Sequence, residues 1–312
     1  MARLTLAFSS PGDHVEKWRA ALAALLPDLT FLPWQDVTDP AAVDAALCWL
    51  PPEGWLASLP NLKLVHSLGA GIDHILRDKL YPTQVPLVRL VDPYMTRAMT
   101  EYVTLQVLRL HLKEPAYRRQ QQAGVWKPLS QPRASERRVG ILGLGELGAA
   151  AATALHALGF DVAGWSRTAK TLAGITCFAG DEGLAAFLAR TDILVCLLPL
   201  TPATEGILSA SNFAQMPKGA AIINVGRGRH LLEADLLAAL ESGQLSEAVL
   251  DVFAEEPLPA VHPFWAHDRI TVTPHVAALT NPNTASLVVA ENLRRLIRGE
   301  PWPDRVDLAA GY

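Results

Sequence analysis

Six short apolar runs lie between Val139 and Thr273, at 139–142, 162–165, 193–198, 221–224, 249–251 and 270–273, interleaved with helical stretches at 146–158, 182–189, 209–216 and 233–241. Strands that alternate with helices form a parallel, doubly wound sheet, because each helix carries the chain back across the sheet to begin the next strand in the same direction. A shorter series of the same kind precedes it, with strands at 4–8, 30–32, 46–49, 64–67 and 85–89 and helices at 15–26 and 40–45. The expected fold class is α/β, with two doubly wound domains.

Between the two series, 96–123 has helical composition and is interrupted at Pro115, which supplies no amide proton to the ladder. The polar stretch 129–138 then leads into the second series. A final helix at 283–298, opening on a cap at Asn283 and ending at Gly299 with Pro301 beyond it, follows the completed second series and returns the C-terminus to the first domain. The expected organisation is a discontinuous first domain, 1–97 with 282–312, holding an inserted second domain, 98–281. Half of the 312 residues are hydrophobic, which suffices for two cores.

Formal net charge is −4 and the basic residues are scattered, so no surface for nucleic acid or anionic membrane is expected, and the partner is a small molecule. Cys48, Cys177 and Cys196 are odd in number and form neither a CxxC pair nor a Cys/His cluster. That pattern excludes a disulfide framework and a zinc site, and no bound metal is expected; the thiols read as buried groups in a reducing cytoplasm. The apolar run at 4–8 is too short for a signal-peptide core and enters a Ser-Ser-Pro-Gly turn, and no run reaches the ~20 apolar residues of a membrane helix.

Gly143-Leu144-Gly145-Glu146-Leu147-Gly148 matches G-x-G-x-x-G where the motif has physical meaning, after an apolar strand and at the start of an Ala-rich helix. Gly143 permits the turn, Gly145 lets the backbone approach a pyrophosphate, and Gly148 allows close helix packing. An NAD-specific site carries Asp or Glu at the end of the second strand. Here that strand ends in Ser166-Arg167-Thr168 with Lys170 nearby, a guanidinium suited to a 2′-phosphate, so NADP(H) is the expected cofactor and NAD(H) the alternative. Asp161 begins the strand and stands at the wrong edge.

Three segments close the last strands: Asn224-Val225-Gly226-Arg227-Gly228, Asp251 through Pro257, and Thr273-Pro274-His275-Val276. At the C-terminal edge of one sheet, Arg227, Glu256 and His275 could converge although they are 29 and 19 positions apart. His275 would serve as general acid toward a carbonyl oxygen and as base in the oxidative direction. A neighbouring carboxylate would orient it and stabilise its charged form. Arg227 would bind a substrate carboxylate and polarise the carbonyl. The residues alone leave Glu255 and Glu256 both eligible as the carboxylate.

Together with Leu68-Gly69-Ala70-Gly71-Ile72-Asp73, Leu198-Pro199-Leu200-Thr201-Pro202 and Trp165-Ser166-Arg167, these segments resemble the D-isomer-specific 2-hydroxyacid dehydrogenases over nearly the whole chain. Within that family the likeness is to bacterial glyoxylate/hydroxypyruvate reductases of the A type. The resemblance implies a Rossmann-like domain inserted into a flavodoxin-like substrate domain, a homodimer, and NADPH-dependent reduction of glyoxylate to glycolate and of hydroxypyruvate to D-glycerate. It selects Glu256, which directly precedes proline. To the cofactor side it adds Glu146, Leu147, Leu198, Pro199, Val225, Gly226 and Asp251. To the substrate side it adds the Gly69-Ala70-Gly71 loop, whose small residues expose backbone amides to a carboxylate. Trp49, at a strand end, is a candidate pocket wall, and 103–112 with Trp126 offers apolar surface for a dimer. The alternatives are an NAD-linked dehydrogenase of D-lactate or 3-phosphoglycerate, and a dinucleotide-sensing corepressor-like protein without catalysis.

Overall fold

The computed structural model describes residues 4–308; the outermost ends of the expected domains, 1–3 and 309–312, lie outside the described residues. The chain divides into two compact units, one drawn from Met1–Met95 and Thr280–Tyr312, the other Thr96–Leu279.

The first unit has five strands, β1 (Thr5–Ser9), β2 (Thr30–Pro33), β3 (Ala45–Cys48), β4 (Leu64–Ser67) and β5 (Leu87–Val88), all parallel in the order β2-β1-β3-β4-β5. This is the flavodoxin-like order, with its reversal between β1 and β3. Strand residues such as Leu6, Ala7, Leu47, Leu64 and Val65 are fully buried, as expected of a sheet covered on both faces. Helix α1 (Val15–Leu25) buries Trp18 and Leu22, one turn apart, and the short α2 (Asp73–Leu76) follows β4. The helix expected at 40–45 is only a single 3₁₀ turn, Pro40–Ala42, because the chain from Ala45 already pairs in β3.

The chain enters the second unit within α3 (Pro93–His111), and α4 (Glu114–Gln122) follows. The break falls at Lys113, which is left-handed at φ 59°, while Pro115 lies in the first turn of α4, where its missing amide is not needed. Seven strands come next: β6 (Arg138–Leu142), β7 (Asp161–Ser166), β8 (Thr176–Ala179), β9 (Ile193–Cys196), β10 (Ala220–Asn224), β11 (Leu245–Leu250) and β12 (Ile270–Val272). Their helices are α5 (Glu146–Ala157), α6 (Gly180–Ala189), α7 (Ala210–Phe213) and α8 (Glu233–Glu241). All pairings are parallel, in the order β12-β11-β10-β9-β6-β7-β8, which is the Rossmann arrangement with its switch point between β6 and β9. The sequence pattern misses β8: Thr176-Cys177-Phe178-Ala179 is an edge strand, exposed or only partly buried, so it carries no sustained apolar run.

Helix α9 (Pro282–Arg298) belongs to the first unit. Its cap is Asn281 rather than Asn283: the Asn281 side chain accepts the Asn283 amide (3.0 Å), Pro282 opens the helix, and Gly299 closes it in the left-handed region. Burial pushes the Cys48 thiol far up and that of Cys196 up to about 12, which leaves both unreactive. Cys177 is only partly buried.

One polar pair ties α9 to β4. His66, fully buried, donates Nδ1–H to the Ser67 carbonyl (2.7 Å) and accepts from the Asn292 amide at Nε2 (3.0 Å). Burial lowers its pKa to about 4, against the opposing pull of the Ser67 carbonyl. The unfolded chain binds this proton below about 6.5, whereas the native imidazole stays neutral until its lowered value, so acidification favours unfolding across that window. Stability should fall by up to about 3 kcal/mol between pH 6.5 and 4 from this residue. Urea midpoints of wild type and His66→Gln at several pH values check it: the variant should start less stable but lose less on acidification.

Candidate active site

Strands β10, β11 and β12 are adjacent, and their last residues are in register: Asn224 faces Leu250, and Leu250 faces Val272. The turns that follow therefore leave the sheet side by side, which removes the sequence separation between Arg227, Glu256 and His275.

Each turn is built by buried polar side chains. Asn224, fully buried, donates to the Arg227 carbonyl (3.0 Å) and accepts the Gly226 amide (3.2 Å). His230, also buried, accepts the Arg227 amide at Nδ1 (3.1 Å) and places Nε2 at the Pro199 carbonyl (3.3 Å). The Arg227 guanidinium folds back to donate to the Gly226 carbonyl (2.7 Å). A Cβ on Gly228 would stand 1.8 Å from the carbonyl carbon of Phe253, so only glycine lets the Arg227 turn rest on the backbone after β11. The Phe253 amide in turn donates to Glu256 Oε1 (2.9 Å), and Glu256 Oε2 meets His275 Nδ1 at 2.7 Å. It is Glu256 whose carboxylate reaches the imidazole.

His275 is in the left-handed region, φ 53°, a conformation costly for any residue but glycine. Asp251 imposes it. The Asp251 carbonyl accepts the His275 amide (2.8 Å), its Oδ1 accepts from the Thr273 hydroxyl (2.6 Å) and the Val276 amide (2.9 Å), and its Oδ2 accepts the Ala277 amide (2.9 Å). Asp251, which the resemblance also puts on the cofactor side, is buried at 1% exposure, and both its carboxylate oxygens brace the His275 turn.

The residues expected at a dinucleotide occupy the C-terminal ends of β6, β7, β9 and β10. Gly143 follows β6 at φ 101°, where a Cβ would meet the Leu197 carbonyl at 2.8 Å, and a Cβ on Gly148 would meet the Gly143 carbonyl at 1.8 Å. Gly145 caps α5 with nothing within 4 Å of where a Cβ would be, so backbone and helix N-terminus stand open toward an approaching phosphate. These glycines fit a diphosphate cradle. Glu146 and Leu147 open α5; Leu198 and Pro199 follow β9, and Val225 and Gly226 follow β10. After β7, Ser166 turns its hydroxyl to the Thr168 carbonyl (2.8 Å), and Arg167 and Lys170 are exposed. Asp161 is at the far end of β7, paired with Arg190 (2.6 Å).

Within the first unit, Trp49 follows β3 and Gly69-Ala70-Gly71 follows β4, and the register of Cys48 with Ser67 sets them side by side. A Cβ on Gly69 would lie 2.7 Å from the Trp49 ring.

A family profile described as "D-isomer specific 2-hydroxyacid dehydrogenase, NAD binding domain" matches residues 104–277. The chain belongs to the D-isomer-specific 2-hydroxyacid dehydrogenase family. It is 45% identical over 315 residues to glyoxylate/hydroxypyruvate reductase A of Yersinia enterocolitica, a match covering 99% of this chain and 100% of that protein. Among solved structures it is similar to a D-isomer specific 2-hydroxyacid dehydrogenase from Xanthobacter autotrophicus in complex with NADPH and MES, at 46% identity and a TM-score of 0.95, with 100% of both chains covered. It is also similar to an NADPH-dependent glyoxylate/hydroxypyruvate reductase from Sinorhizobium meliloti in complex with NADP and sulfate, at 39% identity and a TM-score of 0.92, covering 99% of this chain and 100% of that one.

In this 2-hydroxyacid dehydrogenase, burial alone would raise the Glu256 carboxyl, but the hydrogen bonds from His275 and the Phe253 amide, with the charges of His275 and Arg227, reverse the effect and hold it below the ordinary range. An ionised Glu256 fixes Nδ1–H of the imidazole toward itself, which leaves Nε2 as the nitrogen that exchanges protons away from it. Sequence reasoning missed the support behind this pair. Tyr102, on α3, donates to the Thr273 hydroxyl (2.6 Å), which donates to Asp251. Burial pushes the Tyr102 phenol up to about 12, with the Asp251 charge adding to the rise against the Thr273 hydrogen bond and Arg109, so it remains a neutral donor. With Tyr102 and Thr273 171 positions apart, no local pattern could signal the contact.

Gly228→Ala should destabilise by about 3 kcal/mol or more, because its Cβ collides with backbone that cannot rotate away as a flexible side chain could. Urea unfolding of the variant measures this, and a cost under about 0.5 kcal/mol would mean that the Arg227 turn does not depend on its contact with Phe253.

Proposed function

We propose that this 2-hydroxyacid dehydrogenase is an NADPH-dependent reductase of small 2-keto acids, converting glyoxylate to glycolate and hydroxypyruvate to D-glycerate. The observation that carries the reading is the His275–Glu256 pair, formed by the turns after β12 and β11, beside the Arg227 turn after β10. The Y. enterocolitica and S. meliloti relatives, named for these substrates, supply the substrate class.

Arg227 binds the substrate carboxylate and draws electron density from the adjacent carbonyl through its forked donors. His275 delivers a proton to the carbonyl oxygen, and Glu256 stabilises the imidazolium that must exist beforehand. The bound dinucleotide would supply the hydride. Gly143, Gly145 and Gly148 would hold its diphosphate, and Arg167 with Lys170 its 2′-phosphate; the end of β7 offers no carboxylate for a free ribose pair. In the first unit, the Gly69-Ala70-Gly71 amides and Trp49 would face the substrate. The first unit is accordingly the substrate domain and the second the cofactor domain.

A homodimer in the cytoplasm completes the proposal. Val103, Val107 and Leu110 are buried in the second unit's core, so the apolar surface for a partner reduces to Leu105, Leu112 and the fully exposed Trp126. No helix among the described residues is long and apolar enough to cross a membrane.

Nicotinamide absorbance with glyoxylate, hydroxypyruvate, pyruvate and phenylpyruvate, each with NADPH and NADH, tests the reading. Glyoxylate and hydroxypyruvate with NADPH should be turned over fastest. No oxidation with any of these acids would leave the corepressor-like alternative, and faster NADH use would leave the NAD-linked one. Arg167→Ala should raise the KM for NADPH about tenfold or more and leave that for NADH nearly unchanged, since one charge-assisted contact is lost.

Glu256→Gln should lower kcat by about a hundredfold or more, because a neutral amide cannot stabilise the imidazolium. Since the Glu256 carboxyl is held low, its contribution is present above the ordinary carboxylate range and is lost only as pH falls through the lowered value. The kcat for reduction should therefore hold on acidification through the ordinary carboxylate range and fall only below it. A pH–rate profile that already falls near pH 6 would contradict this.

A further inference from the structure

His74, in the short α2 after the Gly69-Ala70-Gly71 turn, has no role in the catalytic scheme, yet it is buried at 5% exposure and makes polar contacts in two directions. Its Nδ1 accepts the Leu50 amide (3.1 Å). Leu50 immediately follows Trp49 and is left-handed at φ 49°, a conformation that a branched apolar side chain adopts only when something holds it there. With Nδ1 accepting, Nε2 carries the ring proton, and it stands 3.2 Å from both the Gly71 carbonyl and the Ser67 hydroxyl. That hydroxyl accepts the Gly69 amide (3.1 Å) and reaches the Gly71 carbonyl (3.1 Å). The face of the imidazole lies against the Trp49 indole, centroids 3.8 Å apart. The indole in turn covers Gly69, where a Cβ would come within 2.7 Å of the ring.

One imidazole thus fixes the turn that aims Trp49 and the turn that aims the Gly69–Gly71 amides. We propose that His74 is the positioning residue for the substrate-facing wall of the first unit, and that by clamping Trp49 over Gly69 it limits the side group of an accepted 2-keto acid to hydrogen or hydroxymethyl size. The proposal rests on the reductase reading above. His74 touches neither substrate nor cofactor; it acts through Trp49, Leu50 and Gly71.

His74→Phe preserves an aromatic ring but offers no acceptor to Leu50 and no donor to Gly71. With NADPH as reductant it should raise the KM for glyoxylate about tenfold while the KM for NADPH and kcat stay within about threefold. The ratio of kcat/KM for phenylpyruvate to that for glyoxylate should rise at least about tenfold as the indole is released. His74→Asn, whose Oδ1 can take the place of Nδ1, should recover part of the lost affinity. In a Trp49→Phe background the selectivity change from His74→Phe should largely disappear, because both changes act on one contact.

Equal losses for glyoxylate and NADPH, an unmoved selectivity ratio, or simple additivity with Trp49→Phe would overturn the proposal. If both His74 variants fail to fold, Ser67→Ala replaces them: removing the hydroxyl under Gly69 should give the same selective rise in glyoxylate KM, and an unchanged KM would overturn the proposal. A wild-type protein inert toward every short 2-keto acid would bring down the reductase reading and this proposal with it, whereas an active wild type with unaltered variants would bring down only this one.

Discussion

The carboxylate of Asp251 is the constraint on which the site depends. It ends β11 buried, with its backbone carbonyl and both side-chain oxygens committed to the turn after β12. A buried carboxylate without donors would carry a large desolvation penalty, so the turn that supplies two amides and a hydroxyl is favoured over any looser path. The same turn requires His275 at positive φ. Strain at the histidine and satisfaction of the aspartate are thus two sides of one arrangement, and the imidazole arrives beside Glu256 already oriented.

Backbone packing extends that arrangement to the third candidate side chain, Arg227. Gly228 rests on the carbonyl of Phe253, whose amide binds Glu256, whose other oxygen binds His275. Arg227 is therefore coupled to the His275–Glu256 pair through main-chain contacts rather than through its own long, flexible side chain. Such coupling suits catalysis, because donors fixed before the substrate arrives lose little freedom at the moment of reaction. Asn224 and His230 serve Arg227 as Asp251 serves His275: each is a buried polar group whose hydrogen bonds define a turn.

Much of the fold could be read from periodicity, because strands of a covered parallel sheet appear as short apolar runs, and eleven of the twelve strands among the described residues do so, including the partly buried β2 and β12. The edge strand β8 could not, since its exposed or half-exposed residues resemble a loop. The helix break misplaced to Pro115 shows a related limit: proline is tolerated in a first turn, and the actual break at Lys113 is a backbone choice that lysine does not announce. The trio was accessible because strand ends gather ligand-binding groups in open α/β sheets. Tyr102, His230 and His74 were not, for each acts through partners distant in sequence or through ring nitrogens that any buried histidine possesses.

The sequence by itself determined which chemistries are present and at which sheet edge they appear: the glycines of the cradle, the guanidinium at the end of β7, and an Arg, a Glu and a His at three successive strand ends. Those facts are local, fixed by residue type and by distance from an apolar run. Only the tertiary structure decided that Glu256 and not Glu255 meets His275, that Asp251 braces a turn, and that one buried imidazole holds Trp49 and the glycine loop together. Those choices depend on strand register and on which buried polar groups must find partners, and the chain settles both only when its distant segments are packed.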